Sequence, residues 1–241
     1  MAGNLNCDFP LPAAPVIVPS EVFVRTAADY IARAILSAAG QKDRITIALS
    51  GGTSPKPVYQ ELARNHRIPW THVEIYFADE RAVPPVSPLS NYRLVSETLG
   101  SRFSQRPGAI HRMEAERGDL AQAAGDYEAI LPAPLDLLVL GMGEDGHTAS
   151  LFPHHPALVE ERRRVLGVHG PADPPWRMTI TPPVIRAART TLMLVAGSAK
   201  ASAVARTRGA WDPASCPAQL ARDGVWILDL AAAAELPSRS T

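Results

Sequence analysis

The segment Gly141-Met142-Gly143-Glu144-Asp145-Gly146-His147-Thr148-Ala149-Ser150-Leu151-Phe152-Pro153 follows directly on the apolar run Leu135-Asp136-Leu137-Leu138-Val139-Leu140. A buried strand there empties into a glycine-rich turn that carries two carboxylates and one imidazole. Glycine lets a backbone take positive φ and come close to a ligand. Histidine is the side chain whose ordinary pKa permits proton transfer near neutrality. A turn with a purely structural task does not require that combination. His147 therefore stands as the candidate acid–base group, with a hydrogen-bonded structural histidine as the alternative. Asp145, two residues earlier, either orients the ring or caps the turn.

Three more polar motifs each follow an apolar run: Ser50-Gly51-Gly52-Thr53-Ser54-Pro55, Asp79-Glu80-Arg81 and Gly197-Ser198-Ala199-Lys200. In a parallel sheet all strand C-termini share one edge, and ligands bind in the crevice beyond it. Motifs spread over some 150 residues of sequence then converge. Ser50 to Thr53 leads into a helix start, where free backbone N–H groups and the helix dipole favour an anion. Neither the P-loop spacing nor the dinucleotide fingerprint is present, and a plain strand–helix turn is the alternative. Arg81 and Lys200, expected on the same edge, favour phosphate binding by Ser50, Gly51, Gly52 and Thr53. Asp79 is open between an acid–base group, an acceptor for a substrate hydroxyl and the partner that positions Arg81. No Gly-x-Ser-x-Gly elbow supports a serine nucleophile, and Ser50 fits a capping or phosphate role better. His66, His72, His111, His154, His155 and His169 have no comparable setting.

The elements that position these groups alternate. Strands are predicted over 16–18, 44–49, 73–78, 135–140, 164–168, 177–181, 190–196 and 225–230. Helices are predicted behind Thr26 (apolar face Tyr30, Ile31, Ala34, Ile35, Ala38, stopped by Gly40), behind Ser54-Pro55 to about Asn65, and behind Ser90 with Leu94, Val95 and Leu99 inward. Two more follow Asp119, burying Leu120, Ala123, Ala124, Tyr127, Ile130 and Leu131, and Ser198, running through Arg206. Strand–helix alternation implies crossover units, hence an α/β fold: a mostly parallel, Rossmann-like sheet covered by helices on both faces. The 23 prolines gather in 82–88, 132–134, 153–156, 171–175 and 182–183, which reads as connections rather than a domain linker. Residues 1–14 read as a loose arm and 15–241 as one domain.

At 241 residues and 46% hydrophobic, the chain can bury a full core. Lys+Arg and Asp+Glu stand at 24 each, so no global basic field draws nucleic acid or membrane. Any anion must be held by a local cluster. Cys7 and Cys216 make no disulfide framework, and no Cys/His spacing matches a metal site. No signal peptide or membrane span is read, so the expected location is the cytoplasm. The expected partner is a small molecule, neither nucleic acid nor membrane. The oligomeric state is left open, with a monomer as the working expectation.

The blocks Thr46 to Pro55, Phe77-Ala78-Asp79-Glu80-Arg81-Ala82-Val83-Pro84, Ser90-Asn91-Tyr92-Arg93, Gly141 to Pro153, Arg177-Met178-Thr179-Ile180-Thr181 and Gly197-x-x-Lys200 resemble the 6-phosphogluconolactonase family. The similarity runs from about residue 16 to 230, in the family's order. It implies a fold shared with glucosamine-6-phosphate deaminases and ribose-5-phosphate isomerases. It also implies hydrolysis of 6-phosphoglucono-δ-lactone to 6-phosphogluconate in the pentose phosphate pathway, with no metal or organic cofactor. In that light His147 would be the general base for an attacking water, without a covalent intermediate, and Asp145 would hold its ring. The amides of 51–53 with Arg81 and Lys200 would clamp the phosphate. Arg177 would face the substrate, and Asn91 would serve a hydroxyl or brace the loop. The deaminase branch places an Asn-Glu pair after its Asp-Gly-His. Here Thr148, Ala149, Ser150, Leu151 and Phe152 follow, with no carboxylate before Glu160. A sugar-phosphate sensor of the same fold would need a DNA-binding module, for which the matched chain leaves little room.

Overall fold

Six strands pair in parallel to form the central sheet: β1 (Val16–Val18), β2 (Ile45–Leu49), β3 (Val73–Phe77), β5 (Leu137–Leu140), β8 (Thr190–Val195) and β9 (Val225–Asp229). The computed structural model describes residue 12 and residues 14–104 and 109–237. Almost all of the predicted arm, Cys7 included, lies outside the described residues. The strand order is β1-β9-β8-β5-β2-β3. The chain leaves β2 toward β3 on one side and later returns to lay β5 on the other. The crevice where a doubly wound sheet binds its ligand therefore opens between β2 and β5. β2, β5 and β9 are buried along their whole length, as strands covered on both faces must be.

Three segments depart from the predicted pattern. Asp79-Glu80-Arg81, read as a loop, is strand β4 (Asp79–Arg81). It joins β7 (Trp176–Ile180) and β6 (Val165–His169) in a separate antiparallel sheet of order β4-β7-β6, so β6 and β7 do not belong to the parallel sheet. One residue, Ala78, separates β3 from β4. Its N–H donates to the Leu49 carbonyl in the first sheet and its carbonyl accepts from Ile180 N–H in the second.

Helices α1 (Ser20–Ala39), α2 (Pro55–Ala63), α3 (Asn91–Leu99), α4 (Leu120–Ile130), α5 (Pro182–Ala187) and α6 (Ala201–Thr207) cover the sheets. α1 starts behind Pro19, earlier than the predicted Thr26 cap, because Phe23 extends its buried stripe by a turn. That stripe is Phe23, Ala27, Ala28, Ile31, Ala32 and Ile35, while Tyr30, Ala34 and Ala38 are only partly covered. The caps of Ser90 and Asp119 form as expected, accepting from Arg93 N–H and Gln122 N–H. Ile130 is 51% exposed, and Leu131, just past the helix end, takes the inward place. α5 sits where paired prolines read as a connection, since proline fits the first turn of a helix. Ser198 opens a single 3-10 turn (Ser198–Lys200), and α6 begins after it.

Candidate active site

The turn after β2 is held from below. Ser50 N–H donates to the Val139 carbonyl at 3.0 Å, and the buried Tyr59 hydroxyl donates to the Ser50 carbonyl at 2.7 Å. A Cβ on Gly51 would overlap the Asn91 side chain, and Gly52 has φ of 112°. Both positions require glycine, one for space and one for conformation. Ser54 precedes the prolines of α2 but makes no side-chain cap.

The turn after β5 is wound on itself. Gly143 N–H donates to the His147 carbonyl at 2.9 Å, and Gly146, at φ 93°, donates to the Gly143 carbonyl at 3.1 Å. Asp145 Oδ1 lies 2.6 Å from His147 Nδ1 and also accepts the His147 backbone N–H at 3.0 Å. Burial works to raise the Asp145 carboxyl, but its bonds to His147 outweigh this and hold it below the ordinary range. An ionised carboxylate only accepts, which assigns the proton to Nδ1 and leaves Nε2 as the nitrogen with the lone pair. No Cβ fits at Gly143, because it would meet the His147 ring and Asp145. The Phe152 ring packs 5.0 Å from the imidazole. From outside, Arg206 Nη2 donates to the Asp145 carbonyl at 2.8 Å and Ala218 N–H to the Gly146 carbonyl at 2.9 Å.

The turn after β8 hangs on Asp229, the last residue of β9. Gly197, at φ 95°, donates its N–H to both Asp229 oxygens at 3.1 Å. The same carboxylate accepts from Ser20 Oγ and Ala232 N–H. Lys200 then stands over the cleft with Nζ 4.0 Å from the exposed Glu144 carboxylate.

The small sheet contributes strand side chains. Arg81 and Arg177 are direct partners across the β4–β7 ladder, a pairing of like charges that is unfavourable without an anion between them. Burial lowers the Arg177 pKa, with Asp79 opposing and Arg81 adding to the shift. Arg81 is fixed by a 2.6 Å bond from Nη1 to the Leu89 carbonyl. Asp79 is 5% exposed and already engaged: Ser150 Oγ donates to one oxygen at 2.7 Å, Asn91 Nδ2 to the other at 3.0 Å. Those contacts hold Asn91 in the bracing position, and Asp79 has Ser150 and Asn91, rather than Arg81, as its side-chain hydrogen-bond partners.

Ser50, Gly51, Gly52, Thr53, Asp79, Arg81, Asn91, His147, Arg177 and Lys200 all line one open cleft, together with apolar Met142, Leu194 and Val195. Asp145 reaches it through His147. Three buried side-chain atoms on this cleft, Ser50 Oγ, Arg81 Nε and Asn91 Oδ1, lack a hydrogen-bond partner among the described residues. Buried polar atoms left open in this way are what a polar ligand satisfies. Sequence reasoning passed over Asp229, Arg206, Ser150 and Phe152. The last two stood within a recognised block; nothing marked the first two before folding. Among the described residues no group of three metal-type ligands gathers, and no helix is long and apolar enough to cross a membrane.

Comparison with known proteins bears on these residues as a set. The family model described as glucosamine-6-phosphate isomerases/6-phosphogluconolactonase matches residues 19–228. A 6-phosphogluconolactonase of Mycobacterium tuberculosis is 37% identical over 237 residues, covering 91% of this chain and 96% of its own. The solved 6-phosphogluconolactonase of Thermotoga maritima superposes with a TM-score of 0.79 at 28% identity, over 90% of this chain and all of that one. A monomeric glucosamine-6-phosphate deaminase, at 20% identity and a TM-score of 0.78 over 92% of this chain and 100% of its own, shares the fold alone. With a cleft at the β2/β5 switch point and matches spanning nearly its whole length, this chain belongs to the glucosamine-6-phosphate isomerase/6-phosphogluconolactonase family.

Proposed function

We propose that this chain hydrolyses 6-phospho-D-glucono-1,5-lactone to 6-phosphogluconate, the lactone-opening step of the pentose phosphate pathway, in the cytoplasm. The chain is a lactone hydrolase, as its relatives are named. The observation that carries the reading is a carboxylate-held imidazole sharing one cleft with three cations, two of them paired across a ladder.

The lactone's C1 carbonyl lies near His147. Nε2 takes a proton from water as its oxygen attacks C1, and Asp145 steadies the imidazolium that results. The tetrahedral intermediate collapses with cleavage of the C1–ring oxygen bond. The proton returns from Nε2 to the departing oxygen. A δ-lactone is reactive enough toward water that no covalent enzyme intermediate is required. The 6-phosphate lies between Arg81, Lys200 and the 51–53 amides, with Ser50 Oγ as a further donor and Arg177 on the sugar side. Charge-assisted contacts of this kind fix the ring's position as well as adding affinity. No metal or organic cofactor enters the scheme.

The deciding experiment follows acid release from freshly generated lactone at neutral pH against its spontaneous hydrolysis. Acceleration proportional to enzyme concentration supports the reading; a rate equal to the blank overturns it.

A further inference from the structure

Glu80 is the middle residue of Asp79-Glu80-Arg81, and nothing in the scheme above uses it. It is 3% exposed. Its carboxylate accepts four hydrogen bonds: from Arg81 N–H at 2.9 Å, Asn91 N–H at 2.7 Å, Tyr92 N–H at 2.8 Å and Ser90 Oγ at 3.0 Å. Two of those donors are the first residues of α3, whose orphan N–H groups and dipole favour an anion. The other ends of the same residues reach the cleft. The Arg81 guanidinium lines it, and the Asn91 side chain lies between Asp79 and Gly51. Residues 82–90 thus form a loop closed at its base, both by Glu80 and by the bond from Arg81 to Leu89. Burial pushes the Glu80 pKa up in spite of its four donors.

We propose that Glu80 is a positioning residue for the anion end of the cleft. Its carboxylate locks the Arg81 backbone to the start of α3, so the guanidinium is aimed before substrate arrives. The inference rests on the reading of the cleft as a sugar-phosphate site. It assigns Glu80 to affinity for the phosphate rather than to the proton transfers at His147.

The test uses E80Q and E80D in the full chain, with thermal unfolding recorded for each. Steady-state kinetics are measured on the phosphorylated lactone and on its non-phosphorylated counterpart, with inorganic phosphate as inhibitor. For E80Q, KM for the phosphorylated lactone and Ki for phosphate rise about tenfold, kcat stays within about twofold, and kcat/KM on the non-phosphorylated lactone is unchanged. E80D, which keeps the charge but withdraws it by one methylene, moves the same constants less, and it decides the matter should E80Q fail to fold. Equal losses on both lactones with an unchanged phosphate Ki reduce Glu80 to a structural residue and overturn the proposal, as does no change at all. Should the wild type show no lactonase activity, the reading of the cleft fails instead. Phosphate binding by calorimetry on wild type and E80Q then still decides the role of Glu80.

Discussion

β2, β5 and β8 deliver their functional groups just past their ends: Ser50 to Thr53 after Leu49, Asp145 and His147 after Leu140, Lys200 after Val195. The small sheet delivers Asp79, Arg81 and Arg177 from within its strands. Turns can wind a carboxylate and an imidazole onto each other, as Asp145 and His147 show, because glycines at 143 and 146 remove the obstacles. A ladder cannot do this, but it fixes spacing. Side chains two apart share a face, so Asp79 and Arg81 turn to the cleft while Glu80 between them turns away. The carboxylate–imidazole pair thus sits on a turn, while the facing arginines sit on strands.

The largest expected effect tests the turn side. His147→Ala should lower kcat by about 10²–10⁴-fold, the usual contribution of a general base, with KM and thermal midpoint little moved. Initial rates of acid release give the answer, and retention of more than about a tenth of the rate removes the base assignment. On the ladder side, the wild type should use a non-phosphorylated lactone with kcat/KM about two to four orders of magnitude lower, as expected for two charge-assisted contacts. Arg81→Ala should remove about half of that discrimination on a logarithmic scale, with Lys200 holding the rest. Because Arg177 lies directly opposite, Arg81→Ala and Arg177→Ala should combine non-additively in a double-mutant cycle. Strict additivity would uncouple the two strands.

A smaller effect compares two glycines. Gly51→Ala drives a methyl into Asn91 and should cost about 1–3 kcal/mol of stability, read by denaturant unfolding. Gly141→Ala meets nothing within 4 Å and should leave the midpoint nearly unchanged. The smallest effect separates two carboxylates by pH. Asp145, held below its ordinary range, stabilises the fold above the unfolded value of about 3.9, and that contribution fades as pH falls through the depressed folded value. Glu80 is raised, so its contribution is complete below about 4.3 and is lost as pH rises through the folded value. Unfolding curves of Asp145→Asn and Glu80→Gln, each referred to wild type across pH, should diverge in opposite directions. Parallel curves would contradict the difference between the two settings.

What the sequence made legible follows the same division. A glycine-rich turn after an apolar run is a local signal, and one shared sheet edge turns several such signals into one site. The three turns of the large sheet were readable for that reason. The small sheet was not, because a three-residue strand such as Asp79–Arg81 carries too little alternation to separate it from a loop. Strands β6 and β7 look alike from the sequence whichever sheet receives them. That Arg177 faces Arg81 is a fact of register, which residue types alone do not encode. Glu80 stood inside a recognised motif, yet its direction depended on the strand that was missed. Asp229 and Arg206 act across 32 and 61 residues of chain, beyond the reach of any local pattern.

Asp229 gathers Ser20, Gly197 and Ala232 onto one carboxylate, and it stands one residue past the matched stretch that ends at 228. A protein shortened at that boundary would retain every residue lining the cleft and still lose the anchor beneath the Lys200 turn. Its inventory would be complete and its tuning gone. The same cut would remove buried Ala232 and the bond from Leu230 N–H to the Val18 carbonyl, so the Lys200 turn and the β1 edge would loosen together. The end of β9 is in this sense a support for the Lys200 turn that lies outside the cleft it serves.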